Sequence, residues 1–259
     1  MPDFDPRTPS IARVYDYLMG GKDNFAADRE LADRLIAMDP SLVENLPENR
    51  KFLARAVTWV ANQGVTQFID LGAGMPTAPS TYESALAADP SATVVLVDND
   101  PVVLSHLRAL VAKGNPGVAV LDADLGQAEK ILSLAEEHAD LDEPVCLIMG
   151  FVLHFLDASA AAALVRAYTT RLSPGSYVVI STGYGNTKAT ASLHDTYNAE
   201  GFAVSHNHGP AELASFFDGL EMVPPGIAQA QEWRADWPEL PRSPDRDGQV
   251  LVGIGRVRS

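Results

Sequence analysis

The 259-residue chain has a single cysteine, Cys146, so no disulfide can form within it. A chain of this length needs none to build a core. Cys146 lies in the apolar run Val145–Met149 with no basic neighbour to stabilise a thiolate, and it reads as a small buried hydrophobe. Histidine is scarce as well. His206 and His208 stand two apart, and no cluster of His and Cys reaches four ligands, so no metal site is expected. Basic residues are few: 19 Lys and Arg face 34 Asp and Glu, a net charge of -15. A polyanion would be repelled at long range, and no Lys/Arg cluster offsets this. Nucleic acid is therefore not expected as a partner, and a small-molecule substrate is favoured. Long apolar runs are missing too. The longest, Val145–Leu156, is too short to span a bilayer and is interrupted by Gly150 and His154. Met1–Pro9 is polar and proline-rich rather than basic then apolar, unlike a secretory signal. The expectation is a cytoplasmic protein with no membrane segment; the composition says nothing of its oligomeric state.

What remains is ordinary globular composition, arranged in two textures. The first sixty residues read as helices. Ile11, Val14, Tyr15 and Leu18 follow one helix face after Pro9-Ser10, and Gly20-Gly21 ends that helix. On this face Tyr15 is expected in the core. A second helix, capped by Asp23 or Asn24, carries Leu31, Leu35 and Met38 and closes at Asp39-Pro40. A third is expected over Glu48–Asn62, with Leu53, Ala56, Val57 and Val60 as its apolar stripe.

Strands and helices then alternate. Strands are expected at Thr66–Asp70, Thr93–Asp98, Val118–Leu121, Val145–Met149 and Ser176–Ser181. Between them lie helices near Ser80–Ala88, Asp100–Gly114 (with Val103, Leu107 and Leu110 inward), Gln127–His138 and Ala158–Leu172. Continuous apolar strands separated by amphipathic helices indicate a parallel sheet covered on both faces. Later come helices near Lys188–Glu200 and Ala211–Phe217, strands at Glu221–Val223 and Val250–Arg256, and a polar loop over Trp233–Gly248. The fold class is α/β, a Rossmann-like, mostly parallel sheet domain over residues 65–259 with an N-terminal helical extension over residues 1–64.

In such a sheet the ligand crevice lies at the carboxyl ends of the strands. The first strand runs into Asp70-Leu71-Gly72-Ala73-Gly74. A dinucleotide enzyme would show a third glycine and hold a pyrophosphate on a helix start; here Met75-Pro76-Thr77 breaks that pattern. S-Adenosylmethionine has no pyrophosphate and tolerates a looser turn behind an acid. Asp98 ends the second strand, where a carboxylate can accept two ribose hydroxyls. It could instead cap the next helix, but Asp100 already fills that role. After the third strand, Asp122-Ala123-Asp124-Leu125 offers a carboxylate and backbone groups at Ala123, Asp124 and Leu125 to an adenine edge, or simply a helix cap. Three acidic strand ends in succession weigh more than any one.

Gly150 follows the fourth strand at the same edge, and His154 comes soon after it. A histidine there is either a general base or orienting group for the methyl acceptor, or the filler of a helix–sheet junction.

The strand-end motifs resemble those of class I S-adenosylmethionine-dependent methyltransferases. More specifically, the chain resembles an actinobacterial S-adenosyl methyltransferase family once described as a domain of unknown function. The similarity rests on Ala12–Asp28 (ARVYDYLMGGKDNFAAD), Asp70–Thr77, Val97–Pro101, Leu153–Phe155, Phe216–Leu220 and Trp233-Arg234, and covers nearly the whole chain. His206-Asn207-His208 departs from it, where more basic or serine-rich residues are expected. The resemblance implies a seven-stranded sheet with an antiparallel last strand, S-adenosyl-L-methionine as cofactor, and cofactor roles for Gly72, Ala73, Gly74, Asp98, Asn99, Asp124 and Gly150. The N-terminal signature has two readings. It is a lid in which Tyr15, Tyr17, Lys22, Asn24 and Phe25 cover the cofactor and substrate, or two structural helices joined by a Gly-Gly turn. On the lid reading, Asn24 contacts cofactor and Tyr17 is a second, weaker candidate base beside His154. The expected function is methyl transfer to a small-molecule or other non-nucleic-acid acceptor. The rivals are a protein that binds S-adenosylmethionine or S-adenosylhomocysteine for regulation without transfer, and an NAD-dependent oxidoreductase, against which the missing third glycine argues.

Overall fold

Apolar strands that alternate their side chains between two helix-covered faces account for most of the core. In the computed structural model, which describes residues 5–185, 205–234 and 249–258, the helices before the sheet are α1 (Ile11–Leu18), α2 (Ala26–Met38) and α3 (Leu42–Ala61). There follow β1 (Gln67–Leu71), α4 (Thr81–Ala88), β2 (Thr93–Asp98), α5 (Pro101–His106), β3 (Val118–Asp122), α6 (Ala128–Ala135), β4 (Cys146–Gly150), α7 (Ala158–Thr169) and β5 (Tyr177–Tyr184). After residue 204 come α8 (Pro210–Ser215), β6 (Glu221–Met222), β7 (Ala228–Gln229) and β8 (Gln249–Arg256). The helix expected at Lys188–Glu200 and most of the loop expected up to Gly248 lie outside the described residues.

The sheet order is β3-β2-β1-β4-β5-β8-β6, with β7 also paired to β8. All pairs from β3 to β5 are parallel, and β8 is antiparallel to β5. β6 and β7 follow one another along the outer edge of β8, so eight strands make a sheet seven positions wide. The break between them is Pro224-Pro225-Gly226, which cannot continue a ladder. This is the Rossmann-like, mostly parallel sheet expected from the alternation.

Strand residues alternate strictly. Ile69, Val95, Val97, Leu147 and Met149 pack beneath α6, α7 and α8. Phe68, Val94, Leu96, Cys146 and Ile148 pack beneath α3, α4 and α5. A third cluster, Val14, Leu18, Leu31, Leu35 and Leu46, joins α1 and α2 to the start of α3.

Three details depart from expectation. α3 begins ahead of Pro47 rather than at Glu48, because Leu46 is drawn into that third cluster. The helix after β2 passes through a π turn at Leu107–Val111 and a 3-10 turn at Ala112–Gly114. The extra residue per turn shifts the register, so Val111 is buried while Leu110 is exposed. Tyr15 is not sealed in the core; it borders the cavity described next.

Candidate active site

The crevice forms where β1 and β4 part to receive crossovers on opposite faces, at the carboxyl edge of the sheet. It encloses about 420 Å³. Its floor is the turn after β1. Gly72 and Ala73 donate their N–H groups to the Val97 carbonyl at 2.9 and 3.0 Å. Gly72 has φ 72°, and a Cβ there would lie 2.5 Å from Cγ1 of Val152. Only glycine satisfies both limits.

Asp98 locks the turn from the neighbouring strand. Its Oδ2 accepts the Gly74 N–H at 2.9 Å, and its Oδ1 accepts those of Asn99 and Asp100, each at 2.9 Å. Burial pushes this carboxyl above its ordinary pKa, while the Asp100 and Gly74 N–H groups pull it back. Asp100 caps α5 through Val102 N–H at 2.8 Å, which leaves Asp98 for the crevice. Further along, Asn99 Nδ2 donates to Asp124 Oδ2 at 3.2 Å, and Gly126 N–H donates to its Oδ1 at 2.8 Å. Asp98, Asn99, Asp124 and Leu125 all border the cavity. Ala123 is buried behind them, its N–H bonded to the Asp98 carbonyl at 3.1 Å.

Asp70, at the root of the turn, is buried and accepts the Thr81 hydroxyl at 2.5 Å. Burial pushes its pKa from 3.8 to about 6, with Thr81 and the Arg50 guanidinium opposing the rise. Gly150 borders the cavity on the other side. The next residue, Phe151, holds a left-handed backbone at φ 58°, a costly conformation for a bulky side chain. Its N–H bonds the Ser181 carbonyl at 3.0 Å, and its ring meets that of Tyr15 edge-on at 6.2 Å.

The N-terminal helices close the crevice through a buried ionic network. Arg13 Nε contacts Asp28 Oδ2 at 2.9 Å and its Nη1 lies 3.5 Å from Asp100 Oδ2. The Ser10 hydroxyl donates to the same Asp100 carboxylate. Ser10 just before α1, and Ile11 and Tyr15 within it, border the cavity, as do Asn49, Arg50 and Leu53 from α3.

Thus Asp70, Gly72, Ala73, Gly74, Asp98, Asn99, Asp124, Leu125 and Gly150 meet around one cavity. Tyr17, Asn24 and His154 stand apart from its lining. Tyr17 donates its hydroxyl to Asp33 at 3.1 Å, which raises its pKa. Asn24 Nδ2 donates to Asp16 at 2.9 Å and its Oδ1 accepts from Arg29 at 3.1 Å. The His154 ring packs on Phe151 and Phe155, with centroids at 5.5 and 4.1 Å, and both of those rings reach the cavity. Sequence reasoning missed Ser10, Ile11, Asn49, Arg50, Phe151 and Phe155. One signal was available: Asn49 and Arg50 interrupt the Leu46–Leu53–Val57 stripe of α3 with polar groups.

Over residues 1–258 the chain matches the model of a family described as S-adenosyl methyltransferase. The chain belongs to that family. A presumed methyltransferase from Thermobifida fusca YX, solved as a crystal structure, is 38% identical with a TM-score of 0.92, covering 100% of this chain and 98% of that one. A DUF574 family protein from Streptomyces avermitilis MA-4680 is 33% identical with a TM-score of 0.87, covering 98% and 99%. The N-methyltransferase NodS from Bradyrhizobium japonicum WM9, in complex with S-adenosylhomocysteine, shares 13% identity at a TM-score of 0.50, covering 95% and 100%; at that identity it shows the fold alone. No curated protein matches the chain. The protein is an S-adenosylmethionine-dependent methyltransferase.

The crevice of this methyltransferase fits that cofactor. It pairs a turn with glycine at its two left-handed positions, Gly72 and Gly74, with two spaced carboxylates that can accept from hydroxyl and amine donors, and with one buried guanidinium whose Nε has no partner. The donor set suits a zwitterionic nucleoside far better than a pyrophosphate, which four bordering aspartates would repel.

Proposed function

We propose that the protein transfers the methyl group of S-adenosylmethionine to a small-molecule acceptor admitted beside Tyr15, Phe151 and Phe155. Asp98 would take the ribose hydroxyls, and Asp124 with the backbone around Ala123 and Leu125 the adenine edge. The observation that carries this reading is the single cavity shared by the glycine turn, the acids of β2 and β3, and an aromatic wall after β4. The cofactor supplies an already activated methyl group, so the protein's task is to bind, align and exclude water. The Tyr15 and Phe151 rings, edge-on to one another, supply an aromatic surface on that side. An acceptor hydroxyl would also need a base. His154 is better placed for this than Tyr17, since its ring touches two cavity-lining rings while the Tyr17 hydroxyl is held by Asp33. Small neutral acceptors agree with the limited volume and with the absence of any bordering cation besides Arg50 among the described residues.

The test is a metabolite screen with S-adenosylmethionine and detection of S-adenosylhomocysteine. Turnover of one or more small molecules is expected. His154→Ala should then slow a hydroxyl acceptor by about 10²–10⁴-fold at unchanged cofactor affinity. Turnover confined to protein acceptors would contradict the reading.

A further inference from the structure

We propose that Tyr168 of α7 is a positioning residue for the loop that reads the adenine base, and so sets the preference of this crevice for adenine over hypoxanthine. The inference rests on the cofactor reading above, in which Asp124 and the backbone beside it meet the base. It concerns a side chain that does not itself border the cavity. Tyr168 is fully buried in the core cluster that α6, α7 and α8 cover. A buried tyrosine needs a partner for its hydroxyl. Here the hydroxyl reaches out of the core to the loop after β3 and donates to the Leu125 carbonyl at 2.7 Å. Burial pushes the pKa of this hydroxyl up, and Asp124 adds to the rise, so the group keeps its proton and remains a donor.

That bond lands where the loop's direction is decided. The Leu125–Gly126 peptide is held at both ends, its carbonyl by Tyr168 and its N–H by Asp124 Oδ1 at 2.8 Å. Asp124 Oδ2 accepts Asn99 Nδ2 at 3.2 Å. Asp124 and Gly126 are both exposed, so hydrogen bonds rather than packing set the direction of this carboxylate. Tyr168 fixes the peptide whose N–H aims it. The Leu125 N–H, in turn, makes no hydrogen bond among the described residues. Asp124 and Leu125 border the cavity, and they present an acceptor followed by an unoccupied donor. The adenine edge is the complement, an amino group that donates beside a ring nitrogen that accepts. Hypoxanthine reverses both, with an oxygen that accepts beside a ring N–H that donates, and would leave both groups of the loop unpaired. Loosening the loop therefore costs adenine more than hypoxanthine.

The test is calorimetry on the full chain with S-adenosylhomocysteine and with S-inosylhomocysteine, which carries hypoxanthine in place of adenine. Wild type should bind the first at least about tenfold more tightly. Tyr168→Phe keeps the ring in the core and removes only the hydroxyl. It should lose about three- to tenfold for S-adenosylhomocysteine while its affinity for S-inosylhomocysteine stays within about twofold of wild type. A tyrosine that only stabilises the fold would leave that ratio unchanged. 3-Fluorotyrosine in place of Tyr168 keeps shape and hydroxyl, and carries the test if the phenylalanine variant does not fold: its fluorine resonance should move on saturation with S-adenosylhomocysteine. Equal weakening of both ligands would make Tyr168 a packing residue and overturn the proposal. So would unchanged affinity for S-adenosylhomocysteine, or a fluorine resonance that ignores it. A wild type that binds the two ligands equally would overturn the adenine assignment of the loop, and the proposal with it. A wild type that binds neither would overturn the cofactor reading itself.

Discussion

The Asp98 carboxylate accepts the N–H of Gly74 at 2.9 Å, which ties the tip of β2 to the turn after β1. The same carboxylate holds the N–H groups of Asn99 and Asp100. One side chain therefore shapes two of the loops that border the crevice, the one after β1 and the one after β2. This dual role explains why an acid at the end of β2 differs from the cap beside it: Asp100 organises a helix, whereas Asp98 organises a site.

Asp98→Ala should therefore weaken S-adenosylhomocysteine binding by about tenfold or more, since a hydrogen bond to a charged group contributes roughly 1.5–3 kcal/mol. Calorimetry checks the affinity, and circular dichroism checks that the sheet survives. Normal affinity in a folded variant would reduce Asp98 to a loop brace.

Asp70 gives a prediction with a defined sign. Its pKa is raised by burial from 3.8 to about 6. A carboxyl whose folded pKa exceeds its unfolded value adds stability while protonated, and that stability is lost as pH rises through the folded pKa. A rise from 3.8 to about 6 corresponds to about 3 kcal/mol. Asp70→Asn keeps an oxygen for the Thr81 hydroxyl but cannot ionise. Urea unfolding near pH 8 should find the cofactor-free variant more stable by up to about 3 kcal/mol, with the difference vanishing toward pH 4. A variant no more stable than wild type near pH 8 would contradict the assignment.

Much of this site was legible. Acids and glycines at strand ends announce themselves because a parallel sheet presents those positions at one edge, and Asp70, Gly72, Asp98 and Asp124 do meet there. A lid over this edge was one reading of the N-terminal signature, but the residues through which those helices reach the cavity were not legible. Tyr15 follows the apolar spacing of α1, yet its hydroxyl reaches the Leu46 carbonyl and its ring turns to the cavity. Periodicity reports that a face is covered, not whether protein or ligand covers it. Leu110 failed for another reason. A π turn is a local backbone choice that shifts the buried face by one residue, and no spacing of apolar side chains encodes it.

The N-terminal signature is held together by Asp16. Its Oδ2 accepts the Asp23 N–H and Asn24 Nδ2, both at 2.9 Å. A Cβ on Gly21 would fall 2.0 Å from its Oδ1. Asp16→Ala should cost about 1–3 kcal/mol in unfolding experiments, because a buried bonding network loses its centre. Tyr17→Phe, which loses only the bond to Asp33, should leave S-adenosylhomocysteine affinity within about twofold of wild type, as expected for an exposed bond. A large loss of affinity in Tyr17→Phe would restore this residue to the site.

The central claim is that cofactor lies along the carboxyl edge of β1, β2 and β3 beneath the N-terminal helices. Hydrogen–deuterium exchange with and without S-adenosylhomocysteine tests it most directly, since it reports local opening residue by residue. The account predicts slower exchange at Gly72–Gly74, Asp98–Asp100 and Asp124–Gly126, together with α1, and no change along β8. Protection confined to other segments, or none at saturating ligand, would contradict it.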